Sequence, residues 1–135
     1  MLVRRFGEAA AIDVHSVSAH VLMDAGELGS RNLSVNWFEV PAGTSEDLRS
    51  HEDAEQAYIV VRGTCSMTAT GETQQLEEGD LVLIPPATDH SIANGGGEAM
   101  ALVSVNSPAV SADELFSLRL ASQAAGYDDG EYEEE

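Results

Sequence analysis

This sequence has no lysine and few positively charged residues of any kind. All six cationic residues are arginines, against 24 aspartates and glutamates, so the formal net charge is −18. A surface this acidic repels polyanions, and we therefore expect neither nucleic acid nor a membrane as a partner. Six of the acidic residues crowd the closing stretch YDDGEYEEE, which predicts a disordered tail over residues 126–135.

Cysteine and long apolar runs are equally scarce. The single Cys65 excludes an internal disulfide, whereas secreted domains of this size often carry several. No apolar run reaches the ~18 residues that a membrane span requires, and the first residues lack the apolar stretch of a secretory signal. We therefore expect a cytoplasmic protein with a single domain.

Short alternating runs of apolar and polar residues make up most of the chain. LSVNWFEV, AYIVV, CSMTAT, LVLI and ALVSV are rich in β-branched residues, and glycine turns such as ATGETQ and EEGDLV separate them. This spacing is typical of an antiparallel β-barrel or sandwich. After NSPAVS the pattern changes, and DELFSLRLASQ predicts one short helix at about residues 112–123. The expected domain covers residues 1–125.

Glycine, proline, histidine and asparagine recur at fixed spacing in the stretch GDLVLIPPATDHSIAN. Five residues separate Gly79 from Pro85, four separate Pro85 from His90, and three separate His90 from Asn94. This arrangement resembles the second motif of the cupin superfamily, which has a further glycine where this chain has Ala87. The resemblance implies an all-β fold, a small antiparallel barrel or jelly roll, with the motif-bearing part at residues 43–94.

The stretch GTSEDLRSHEDAEQAYIVVRG resembles the first cupin motif in every spacing. The motif's two histidine positions fall on Arg49 and His51, its acidic or amide ligand falls on Gln56, and its glycines are Gly43 and Gly63. Residues two apart on a strand face the same side, so positions 49 and 51 are both predicted to point into the barrel. Arginine cannot bind a metal there, because its guanidinium stays protonated.

The resemblance implies a site for one divalent transition metal, Fe, Mn, Ni, Zn or Cu. The ligands that it predicts are His51, Gln56 and His90. Two carboxylates are alternative ligands. Asp53 would complete a His-x-Asp…His triad similar to that of 2-oxoglutarate oxygenases, although no cation follows the second histidine closely, and Glu55 lies beside the predicted amide ligand.

Arg49 has two interpretations. Its guanidinium either binds the carboxylate or phosphate of a substrate, or forms a salt bridge with a nearby acid at the position of a lost metal. Two functions are then open. The first is a metal-dependent enzyme, a dioxygenase-like oxidoreductase or an isomerase, in which Arg49 orients the substrate. The second is a non-catalytic barrel for a small acid or sugar, with Arg49 as its anchor. In both, the partner is a small molecule, and the resemblance implies a homodimer.

Overall fold

The computed structural model describes residues 1–14, 16–48 and 52–112. Arg49, His51, most of the predicted C-terminal helix and the acidic tail lie outside these ranges. The described residues form two antiparallel sheets, which confirms the all-β jelly-roll prediction. None of the described helical segments is long and apolar enough to cross a bilayer.

Ten strands follow one another along the chain: β1 (Ala10–Val14), β2 (Val17–Met23), β3 (Ser34–Val40), β4 (Ser45–Leu48), β5 (Glu55–Arg62), β6 (Cys65–Ala69), β7 (Glu72–Leu76), β8 (Leu81–Ile84), β9 (His90–Ala93) and β10 (Met100–Ser107). Single 3-10 turns lie at Phe6–Glu8 and Glu27–Gly29. One sheet has the order β1-β2-β3-β10-β5-β8, and the other has the order β4-β9-β6-β7. Neighbouring strands such as β3 and β10 are far apart in sequence, so the fold depends on long-range pairing.

The two sheets face each other across an apolar core. Met100, Leu102 and Val40 are fully buried on the larger sheet, and Ile92 packs on them from the smaller one. Burying one such side chain stabilises the fold by roughly 1.5–3 kcal/mol. Cys65 belongs to this core, and burial raises the pKa of its thiol to about 11. The thiol is therefore protonated at neutral pH and acts as a small apolar side chain.

The inner face of the larger sheet turns polar at one end of the barrel. Alternation buries five polar side chains from β3, β5 and β10, whereas their outward neighbours are mostly apolar. These inward residues are Ser34, Asn36, Gln56, Ser104 and Asn106. Most barrel interiors are apolar, so an inward polar cluster indicates a site.

Turns with left-handed backbone connect the strands of both motifs. Gly63 has φ +80°, a conformation that favours glycine, and an added Cβ would make a tight contact of 3.3 Å with the Cα of Met100. Ala87 has φ +58°, which explains why the cupin motif has glycine at this position.

Replacing Ala87 with glycine should stabilise the protein by up to about 1 kcal/mol, because the substitution relieves the left-handed strain of an alanine. The measurement is the free energy of unfolding in urea. Ala93→Gly, on strand β9, is the matched control and should destabilise the protein by roughly 0.5–1 kcal/mol. Equal destabilisation by the two substitutions would contradict the strain at Ala87.

Candidate functional site

A chain of polar contacts between buried side chains crosses the barrel interior from His90. The Nε2 atom of His90 lies 2.9 Å from the hydroxyl of Tyr58, which also lies 3.4 Å from Oε1 of Gln56. The amide nitrogen of Gln56 donates to Oδ1 of Asn106 at 2.8 Å, and Asn106 donates to Ser34 Oγ at 3.3 Å. All five side chains are at most 4% exposed. We name these five residues the interior polar chain.

Strand register explains why these side chains meet. On β5, Gln56 and Tyr58 are two residues apart and therefore both point inward. Asn106 on β10 is the cross-strand partner of Gln56, and Ser34 on β3 is the partner of Asn106. His90 begins β9 in the opposite sheet. The interior polar chain therefore joins the two sheets across the barrel.

The contacts of His90 define its protonation. Its Nδ1 atom lies 3.0 Å from the carbonyl oxygen of Thr88, which can only accept, so Nδ1 carries the proton. Nε2 then accepts the single proton of the Tyr58 hydroxyl, and the 3.4 Å approach of that hydroxyl to Gln56 Oε1 is a longer polar contact. Burial lowers the pKa of His90, an effect that the Thr88 carbonyl and Asp89 only partly oppose. The imidazole is thus held neutral at physiological pH.

The structure brings together two of the predicted site residues, Gln56 and His90, through Tyr58. Arg49 and His51 lie outside the described residues. Of the alternative ligands, Glu55 is exposed on the opposite face of β5 from Gln56, and Asp53 is exposed in the preceding bend.

Sequence reasoning missed three interior residues. Tyr58 could have been found from its position, because it lies two residues after Gln56. Asn106 is a polar residue within the apolar run ALVSVN, which is a weaker signal. Glu46 is buried on β4 and accepts a hydrogen bond from the Ser16 hydroxyl at 2.7 Å, and nothing in its acidic surroundings distinguishes it.

Two further interior atoms lack a hydrogen-bond partner among the described residues. They are Oδ1 of Asn36 and Oγ of Ser104, and both side chains are at most 2% exposed. Ser104 is the cross-strand partner of both Tyr58 and Asn36. Leaving a buried polar atom without a hydrogen bond reduces the free energy of unfolding by about 1–3 kcal/mol. The space beside Asn36 and Ser104 therefore suits a bound water or a ligand hydroxyl.

The described donors do not fit a divalent metal as they are arranged. The oxygen of Gln56 and the Nε2 nitrogen of His90, which would bind an ion, are both directed at the Tyr58 hydroxyl. Within the described ranges, no three His, Cys, Asp or Glu side chains come together in a way that could hold an ion. The predicted set of His51, Gln56 and His90 therefore stays a prediction.

A cavity of about 320 Å³ lies at the end of the smaller sheet, where β4 and β6 end and β9 begins. Its wall combines two carboxylates, three hydroxyls and His90 with the apolar side chains of Leu48 and Ala69. These polar groups belong to Asp47, Thr68, Thr70, Asp89 and Ser91. We name this space the polar cavity. Its volume lies within the range of small-molecule sites.

Lowering the pH should reduce the free energy of unfolding, because His90 is held neutral in the folded state. The folded state holds the imidazole neutral, whereas the unfolded chain binds a proton near the ordinary pKa of 6.5. The contribution of neutral His90 to the free energy of unfolding is therefore complete above pH 6.5. It is lost as the pH falls toward the lower pKa of His90 in the folded state. We expect His90→Gln to reduce the fall in the free energy of unfolding between about pH 7.5 and about pH 5.

Urea unfolding across this pH range measures the effect. His20→Gln, on the outer face of the larger sheet, is the control for the loss of an imidazole. An identical pH dependence in the wild type and in His90→Gln would show that His90 is not held neutral.

Comparison with known proteins is consistent with this geometry. Over 75 residues the chain is 31% identical to the uncharacterized protein MJ1618 of Methanocaldococcus jannaschii. The aligned residues cover 56% of this chain and 60% of that protein. Over 84 residues it is 31% identical to a putative mannose-1-phosphate guanylyltransferase of Vibrio cholerae, covering 62% of this chain and 18% of that protein. The chain thus spans less than two thirds of either relative.

The fold has close counterparts among solved structures. A predicted oxalate decarboxylase from Thermotoga maritima matches 78% of this chain and 98% of its own, with a TM-score of 0.71 and 19% identity. At that identity the likeness concerns the fold alone. Residues 36–106, more than half of the chain, match the family model of the cupin domain. The chain belongs to the cupin family.

Proposed function

We propose that this protein is a small-molecule-binding cupin barrel that takes a sugar in the polar cavity without needing a metal. The observation that carries the proposal is the composition of the cavity wall, in which two carboxylates and three hydroxyls line one space beside the buried His90. Such groups accept and donate hydrogen bonds in the pattern that sugar hydroxyls require.

Strand register supports a shared binding surface. Asp47 on β4, Ser91 on β9 and Thr68 on β6 are successive cross-strand partners, so their side chains form one row on the outer face of the smaller sheet. The Thr68 hydroxyl continues the row with a contact of 2.7 Å to the hydroxyl of Thr73. A row of this kind offers a sugar several contacts on rigid backbone.

Charge favours a sugar over a small acid. The described wall of the polar cavity has two carboxylates and neither lysine nor arginine, in a chain whose net charge is −18. A free acid would meet a repulsive field there, whereas neutral hydroxyls would not. A phosphorylated sugar would need a cation. Arg49 follows Leu48, which lines this cavity, and its role as an anchor for a phosphate stays a prediction.

The names of the relatives also support a sugar. The Vibrio cholerae protein is described as acting in mannose-1-phosphate guanylyl transfer, although this chain spans 18% of it. Mannose and mannose 1-phosphate are therefore reasonable first probes. The alternative of a metal-dependent oxidoreductase or isomerase depends on His51, which lies outside the described residues.

The predicted homodimer belongs to this proposal too. Leu81 and Leu83 are 60% and 53% exposed on the outer face of β8, and Ile59 lies beside Leu81 on β5. Exposed apolar side chains on a strongly acidic protein offer a surface on which a second copy can pack.

Titration calorimetry with mannose and mannose 1-phosphate tests the function. We expect a Kd of about 1 mM or below for at least one of them, a modest affinity for a ligand of this size. Asp47→Asn and Asp89→Asn should each raise the Kd about tenfold, because each removes a charged hydrogen-bond acceptor from the cavity wall. Glu98→Gln removes one charge outside the wall and should leave the Kd unchanged.

Metal independence is measured on the same samples. Dialysis against EDTA should not alter the Kd, and no divalent ion should copurify in stoichiometric amount. Binding that disappears with EDTA and with His90→Ala would contradict the proposal and would support the metal-dependent alternative.

A further inference from the structure

We propose that the ligand is a glycoside, a sugar joined to an apolar group, and that a second cavity between the sheets binds the apolar part. The inference rests on the proposed sugar site and adds a separate compartment to it. That compartment has a volume of about 210 Å³ and lies between β6 and β7 on one side and β8 on the other. We name it the apolar cavity.

Inward-facing side chains of two sheets form its wall. Met67 and Ala69 come from β6, and Val82 and Ile84 come from β8, with Pro85 closing one end. Met67 and Ile84 are at most 3% exposed, so the deep part of the wall is rigid core. A wall of this kind binds by removing apolar surface from water and offers little to a charged group.

The rim of the apolar cavity carries its main polar groups. Glu72 and Gln74 project from β7, where the amide of Gln74 donates to the carboxylate of Glu72 at 2.5 Å. This mutual contact satisfies the two side chains at the edge. The polar groups therefore mark the entrance, and the interior wall is left for an apolar ligand.

The two cavities share a wall at the end of β6. Ala69 and Thr70 line both spaces, and Ala69 is the cross-strand partner of His90. Thr88, whose carbonyl oxygen lies 3.0 Å from Nδ1 of His90, also lines the apolar cavity. One ligand can therefore reach from the polar wall, across the small side chain of Ala69, to the apolar wall.

Size defines the class of apolar group. A dry cavity of about 150 Å³ with an aliphatic and aromatic lining is large enough for benzene. The apolar cavity, at about 210 Å³, has room for a phenyl ring or a short branched alkyl chain. It is too small for a second hexose together with its hydration shell, which the apolar wall would also disfavour.

The test compares phenyl α-D-mannopyranoside with methyl α-D-mannopyranoside by titration calorimetry. We expect the phenyl compound to bind about tenfold more tightly in the wild type, because its ring is buried. Val82→Phe fills the apolar cavity and should bring the ratio of the two Kd values close to one, with the Kd of the methyl compound unchanged. Ile84→Phe, from the same wall and outside the polar cavity, is a second filling variant.

Val35→Phe is the matched control, because it places the same substitution on the outer face of the larger sheet. It should keep the tenfold preference, and thermal unfolding of each variant shows that it is folded. Equal Kd values for the two mannosides in the wild type would overturn the apolar cavity as a binding site and would leave the sugar site intact. A preference that survives both filling variants would overturn it as well.

An NMR titration with phenol distinguishes a failure of this inference from a failure of the proposed function. If neither mannoside binds, amide shifts in NMR at Val82 and Ile84 on addition of phenol, absent in Val82→Phe, would retain the apolar cavity and refute the sugar. No phenol shifts and no mannoside binding would overturn both.

Discussion

The hydrogen bond between the Tyr58 hydroxyl and Nε2 of His90 is the interaction on which the interior of this barrel depends. It links β9 of the smaller sheet to β5 of the larger one, and the interior polar chain continues from there to β10 and β3. A buried polar group left without a partner costs about 1–3 kcal/mol. Each member of the interior polar chain is therefore tied to its neighbours, and the chain joins the two sheets.

The same interaction occupies the donor atoms that a metal at this position would use. A metal would require the lone pairs of His90 and Gln56, but both atoms are directed at the Tyr58 hydroxyl. The lowered pKa of His90 keeps its imidazole neutral, so it acts as a hydrogen-bonding group of fixed direction. The ligand that we propose, neutral and rich in hydroxyls, suits the acidic wall formed by Asp47 and Asp89.

Much of the fold follows from the sequence because it depends on local patterns. Alternation predicts the strands, and the motif spacing places Gly63 in a turn with positive φ and places Gln56 and His90 in the interior. Ala87 shows that the motif's glycine reflects backbone geometry, since the alanine adopts the same left-handed conformation.

The rest of the site depends on which distant strands become neighbours. Asn106 meets Gln56 only because β10 pairs with β5, across 50 residues of chain, and no local pattern encodes that pairing. The two cavities also depend on long-range pairing, because the polar cavity needs β4, β9 and β6 side by side and the apolar cavity needs β8 of the larger sheet opposite β6. The predicted roles of Arg49 and His51 concern residues outside the described part of the chain.

The most direct measurement of the central claim is a long-range ¹H–¹⁵N NMR spectrum of the histidine side chains at neutral pH. The account predicts that His90 is a neutral imidazole with its proton on Nδ1 and that its Nε2 shift is that of a hydrogen-bond acceptor, before and after addition of Zn²⁺. A proton on Nε2, a doubly protonated ring, or a shift of Nε2 on addition of Zn²⁺ would contradict it.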